Sequence, residues 1–126
     1  MVTVTNEQLT ELCTEWKERL GLQAWQVGIA FARHYEMELR GQGECSWTLD
    51  KLQAYIRILD PADYEPNETF PQDIEKTLVH ELLHLMFAPF DTERGTSEYG
   101  VQHQAIELLS RALVNLKREA EPDARR

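Results

Sequence analysis

Cations are scarce in this chain. Thirteen Lys and Arg stand against 22 Asp and Glu in 126 residues, a formal net charge of −9. A surface this acidic has little with which to displace the counterions of a phosphate backbone, which argues against nucleic acid as a partner. It is equally ill suited to an anionic membrane surface. Cysteine is scarcer still: Cys13 and Cys45 lie far apart and form no C-x-x-C unit, so we expect reduced, packed thiols in a cytoplasmic protein rather than a disulfide framework. No stretch approaches the ~20 apolar residues needed to span a bilayer. The opening Met1-Val2-Thr3-Val4-Thr5-Asn6-Glu7 has no basic segment leading into an apolar run, so no secretory signal is expected. Internal repeats and low-complexity tracts are also missing.

What is present is one domain's worth of patterned sequence. At 42% hydrophobic and 28% charged the chain is neither disordered nor membrane-embedded. Its length suits a single core, which we place in residues 1–120, with 121–126 as a flexible polar tail and the whole expected to be a monomer. Thr5-Asn6-Glu7-Gln8 has the form of a capping box; Leu9, Leu12, Cys13, Trp16 and Leu20 follow at helical spacing, and Gly21 is a natural stop. The period then drops to two. Trp25, Val27, Ile29 and Phe31 alternate with smaller or polar residues, as do Cys45, Trp47 and Leu49, and then Ala54, Ile56 and Ile58. The short Leu49–Leu52 link predicts an antiparallel hairpin between the second and third strands. Arg33–Gln42 reads as a loop or a frayed strand, and Asp60–Phe70, with Pro61 and Pro66, as a loop.

Helical spacing returns from Pro71 to about Phe87, apolar around nearly its whole circumference, as for a central buried helix. A last helix is expected from about Ser97 to Glu119, with Ala105, Ile106, Leu109, Ala112, Leu113 and Leu116 on its inner side. The fold class is therefore α+β, in the order α-β-β-β-α-α, with a three-stranded, mainly antiparallel sheet packed on the central helix.

That central helix carries His80-Glu81-Leu82-Leu83-His84. Positions four apart on a helix differ by about 40° around the axis, so both imidazoles leave one face and can share a metal. Glu81 lies to the side, where it can reach a metal-bound water without ligating the metal, the place a general base must occupy. The uncharged flanks, Thr77-Leu78-Val79 and Leu85-Met86, fit a helix held inside a core. Two histidines are otherwise awkward core residues, since each ring nitrogen needs a partner.

Catalytic zinc usually takes three protein ligands and keeps one open position, so a third must come from elsewhere. The metzincin layout needs Gly at 87 and His at 90, where this chain has Phe87 and Phe90. Peptide deformylases place a cysteine ligand upstream of H-E-x-D-H. Here Glu44-Cys45-Ser46 is a loose echo and Leu83 replaces the Asp, so Cys45 reads as a packed thiol. The gluzincin layout uses E-x-x-x-D on a later helix. His103 and Glu107 stand at that spacing, which makes His103 the candidate third ligand and Glu107 the carboxylate that fixes a ring tautomer. Two alternatives stay open: Glu98, which projects nearer the centre of the expected apolar stripe, and Glu107 itself. Tyr99, four residues before His103, shares its helical face and is a candidate donor to a developing oxyanion.

Leu20-Gly21-Leu22 with Trp25, then His80-Glu81-Leu82-Leu83-His84-Leu85, then Gln104-Ala105-Ile106-Glu107 with Ala112-Leu113, resembles the small gluzincin-like metalloproteases, the minigluzincins. The chain is also similar to uncharacterised H-E-L-L-H proteins of bacteria and their phages. The resemblance runs from about Leu20 to Lys117, and in such proteins a Glu is expected where this chain has His103. It implies Zn2+-dependent hydrolysis of a peptide or protein substrate. We expect that substrate to add as an extended strand to an exposed sheet edge. Two other functions remain in view. One is a catalytically inactive, zinc-stabilised phage or prophage regulatory module; the other is a zinc amidohydrolase acting on a formyl amide.

Overall fold

The structure is a computed structural model and describes residues 4–39, 41–90 and 92–121. Met1–Thr3 of the expected domain and residues 122–126 of the expected tail lie outside the described residues.

The first helix, α1 (Asn6–Leu20), starts where the capping box sets it: Gln8 N–H donates to the Thr5 hydroxyl and Thr5 N–H to the Gln8 side chain. It ends at Gly21, whose φ of 73° is left-handed backbone that glycine adopts without strain. Leu9, Cys13 and Trp16 are its buried face.

Three strands follow: β1 (Gln26–Ala32), β2 (Gly43–Thr48) and β3 (Gln53–Leu59). The segment between β1 and β2 includes a single 3-10 turn at His34–Glu36, and Leu49–Lys51 closes the β2–β3 hairpin, which is antiparallel as its short link requires. The sheet, however, is mixed rather than mainly antiparallel. Its order is β1-β3-β2, with β1 parallel to β3 in the register Ile29↔Ile56 and Phe31↔Ile58. The reason is geometric. The 33–42 segment carries the chain past the C-terminal end of the place β3 will fill, so β2 runs back at a distance and the hairpin inserts β3 between the two. Hydrogen bonds from Leu59 N–H to Gln42 carbonyl and from Asp60 N–H to Ala32 carbonyl tie that end. One consequence is that β2 is an edge strand.

The two remaining helices are α2 (Ile74–Phe87) and α3 (Ser97–Ala120). Asp73 caps α2 by accepting from Lys76 N–H, so the helix starts three residues after Pro71. α1 lies on β1, α2 lies on β2 and β3, and α3 packs on α2. The core between sheet and helices joins Trp16, Ile56, Ile58, Leu78, Leu82 and their neighbours. Each such side chain, taken fully from water, is worth about 1.5–3 kcal/mol.

α3 is rotated from the orientation its apolar residues suggest. Ile106, Ser110 and Val114 are buried, while Leu109 and Leu116 are 42% and 61% exposed and Ala105 and Ala112 face solvent. Leu113 is half-buried against the core. The inner face is instead shared with His103, Glu107 and Lys117, which meet His80, Lys76 and Glu75 on α2. Just past the end of α3, Glu121 accepts from Arg19 at 3.0 Å in an exposed ion pair.

Candidate metal centre

Burial explains why the His80-Glu81-x-x-His84 segment can work as a site. α2 is enclosed by sheet on one side and α3 on the other, leaving His80 9% and Glu81 6% exposed. His84, one turn further on, is half-buried and opens into a cleft of about 490 Å3. That cleft is walled by Gly43, Cys45 and Trp47 of β2, by Glu81 and His84 of α2, and by Tyr99 and His103 of α3, with Thr92–Arg94 at its rim.

His80, His84 and His103 converge, each offering a ring nitrogen, all within 4.8 Å of one another. This group could hold a metal ion. The Nε2 atoms of His80 and His103 are 3.2 Å apart. Two ligands on a tetrahedral zinc at 2.0–2.1 Å would be about 3.3 Å apart, so this spacing needs almost no adjustment. The other nitrogen of His80, Nδ1, lies 2.8 Å from the Glu107 carboxylate. An Nδ1–H donating there leaves Nε2 as a bare lone pair aimed at His103, the tautomer a metal ligand requires.

Glu107 is itself fixed. Its second oxygen accepts from Lys76 at 2.8 Å and Arg111 at 3.1 Å. Against the upward push of burial, the Lys76 and His80 hydrogen bonds hold its pKa down to about 2, so it stays a carboxylate. Glu98 is exposed and outside the cluster, which removes the reason for considering it as a ligand: the rotation of α3 turns it to solvent.

The electrostatics favour neutral imidazoles at His80 and His84. Burial first, and then the His103 and Lys76 neighbours, leave the His80 pKa below its ordinary value against the upward pull of the Glu107 carboxylate. Burial and then its two histidine neighbours and Arg94 take His84 to about 4. Glu81 moves the other way, to about 8, through burial and then the negative charges of Glu44 and Glu107. Two aromatic rings bracket the cluster. Trp47 stacks on His84 with centroids 6.4 Å apart and planes at 19°; Tyr99 stacks on His103 at 5.7 Å and 20°. Cys45 lines the cleft but does not join the cluster; both cysteines are free and burial pushes both thiols up, as packed cysteines behave.

Sequence reasoning missed three contributors. Glu44, 6% exposed, accepts from the Glu38 and Leu39 amides and from Arg57, its cross-strand partner. A hairpin register would have exposed that pair. Gly43 allows β2 to approach α2, a use that an isolated strand glycine can signal. Arg94 has no pattern around it.

Fold and site together define a small α+β domain with a candidate three-histidine metal centre on two antiparallel helices. Comparison with protein-family models, with curated proteins and with solved structures finds no match.

Proposed function

We propose that the protein is a zinc-dependent peptide hydrolase, of the minigluzincin type its motifs resemble. The observation that carries this reading is the convergence of His80, His84 and His103, with Glu81 beside them and Glu107 behind His80. Three nitrogen donors suit zinc better than magnesium or calcium, which prefer oxygen. Zinc held there supplies Lewis acidity and lowers the pKa of a water toward 7, and its charge draws the Glu81 carboxyl back toward ionisation. Glu81 takes a proton from the attacking water at its carboxylate oxygen and passes it to the leaving amine nitrogen. Tyr99, stacked on His103 at the cleft wall, is the candidate donor to the oxyanion.

The edge position of β2 supports the binding mode. Its inner side pairs with β3, its outer side is unpaired among the described residues, and Gly43, Cys45 and Trp47 line the cleft. An extended substrate can pair with that edge, main chain to main chain, which orders the scissile carbonyl before chemistry begins.

The test is a peptide-library digest with and without chelator, run beside metal analysis. About one zinc per chain, chelator-sensitive cleavage, and a Glu81→Gln variant that keeps zinc but not cleavage are the expected results. Full zinc occupancy with no cleavage of any library member would overturn the hydrolase reading and favour a metal-stabilised module.

A further inference from the structure

Of the six described arginines, five hold a carboxylate within 3.1 Å: Arg19 with Glu15, Arg33 with Asp63, Arg57 with Glu44, Arg111 with Glu107 and Arg118 with Asp73. Arg94 alone makes no ion pair among the described residues, although the chain carries 22 acidic residues. It is also the arginine that borders the metal cleft.

Its place is built rather than incidental. Glu93–Thr96 is a tight turn: Thr96 N–H donates to the Glu93 carbonyl at 3.2 Å and the Thr96 hydroxyl donates to the same oxygen. Gly95, at φ 90°, takes the turn's left-handed position and leaves Arg94 at the corner before it. The guanidinium lies 5.7 Å from the centroid of the Tyr99 ring, which in turn stacks on His103. A cation over an aromatic face is held in orientation while its N–H edge stays free. Arg94, Tyr99 and His103 thus form a ladder from cleft rim to metal centre. Glu93 also borders the cleft, yet forms no ion pair with Arg94.

We infer that Arg94 anchors a substrate carboxylate at the rim of the cleft, so that the preferred substrate is an acidic peptide. A guanidinium edge matches a carboxylate bidentately, and a neutral backbone carbonyl gives only half of that match. The carboxylate comes either from an Asp or Glu side chain near the scissile bond or from a free C-terminus. This inference rests on the peptide-hydrolase reading for the identity of the ligand, and not for the existence of the anchor.

Binding is therefore measured apart from turnover, on the zinc-loaded Glu81→Gln protein, by fluorescence anisotropy of labelled peptides. The probes are matched twins: Glu against Gln at each internal position, and free acid against amide at the C-terminus. One set of twins should differ about tenfold in affinity, the size of one charge-assisted bidentate contact at a partly solvated site. Which set differs identifies the source of the carboxylate. Arg94→Ala should reduce the ratio between twins to near one, and Arg94→Lys should keep part of it. Because Arg94 is exposed, both variants should fold normally. Equal affinity for all twins, a ratio unchanged in Arg94→Ala, or no binding of any peptide would each overturn the anchor. Acid-selective binding together with uncleaved peptides in the parent protein would leave the anchor standing and remove the hydrolase.

Discussion

Replacing Gly43 by alanine tests how tightly β2 is pressed against α2. A Cβ built there meets Thr77 Cγ2 at 2.7 Å, Glu81 Oε2 at 3.1 Å and Glu81 Cγ at 3.3 Å. Carbon atoms prefer about 3.5–4.0 Å, so the Thr77 methyl would have to give by about 1 Å. It has little freedom to do so: Thr77 is buried, and its hydroxyl donates to the Asp73 carbonyl at 3.0 Å, which fixes the rotamer. Either that hydrogen bond breaks or strand and helix separate. Overpacking of this kind costs about 1–3 kcal/mol. Urea unfolding of the metal-free protein should therefore show Gly43→Ala destabilised by that amount with an unchanged denaturant slope. Thr77→Ser removes only the offending methyl, so the alanine should be at least about 1 kcal/mol less damaging in that background, a coupling that a double-mutant cycle reads directly. Because the displaced neighbour Glu81 stands outside the three-histidine group, the proposed cleavage should suffer more than zinc affinity. An alanine variant as stable as the parent, or a cycle with no coupling, would refute the contact.

Three further outcomes follow from the site. Glu107→Gln should weaken zinc about 10–100-fold, measured by competition with a chromophoric chelator, because it weakens the charge-assisted bond that orients His80. His103→Ala should remove most zinc affinity while Glu98→Ala leaves it unchanged; equal losses would reassign the third ligand. In metal-free protein, burial raises the Glu81 pKa from 4.5 to about 8, so its penalty is absent below pH 4.5, grows as pH rises from there toward 8, and levels off above. Glu81→Gln should accordingly be the more stable protein at pH 8, by on the order of 3 kcal/mol, with the advantage gone by pH 4.5 in denaturant titrations.

Local chemistry made much of this legible. Thr5 and Gln8 announce the start of α1 and Gly21 its end, and the His80/His84 spacing places two imidazoles together wherever the helix lies. Non-local choices were not legible. Nothing in the pattern of β1 says that its neighbour will be β3 in parallel rather than β2, because strand order depends on how the 33–42 segment crosses. Leu109 and Leu116 look like core residues by hydrophobicity alone, yet Glu107 and Lys117 take the inner face because Lys76, His80 and Glu75 wait there on α2. The signal that mattered was charge pairing between helices, and it spans 31 positions for Lys76 and Glu107.

The pairing of α2 with α3 works like a vernier. Reading down α2 and up α3, Asp73 meets Arg118, Glu75 meets Lys117, Lys76 meets Glu107, and His80 meets both Glu107 and His103. The apolar contacts between, from Ile106 and Val114 with Ser110, would tolerate a slide of one helix along the other. A slide of one turn, about 5.4 Å, would present Tyr99 or Glu107 where His103 now stands. Every polar pair would lose its partner at the same moment, leaving partly buried charges unmatched. The helices thus have one permitted alignment, and it is the alignment that brings the third imidazole to the other two.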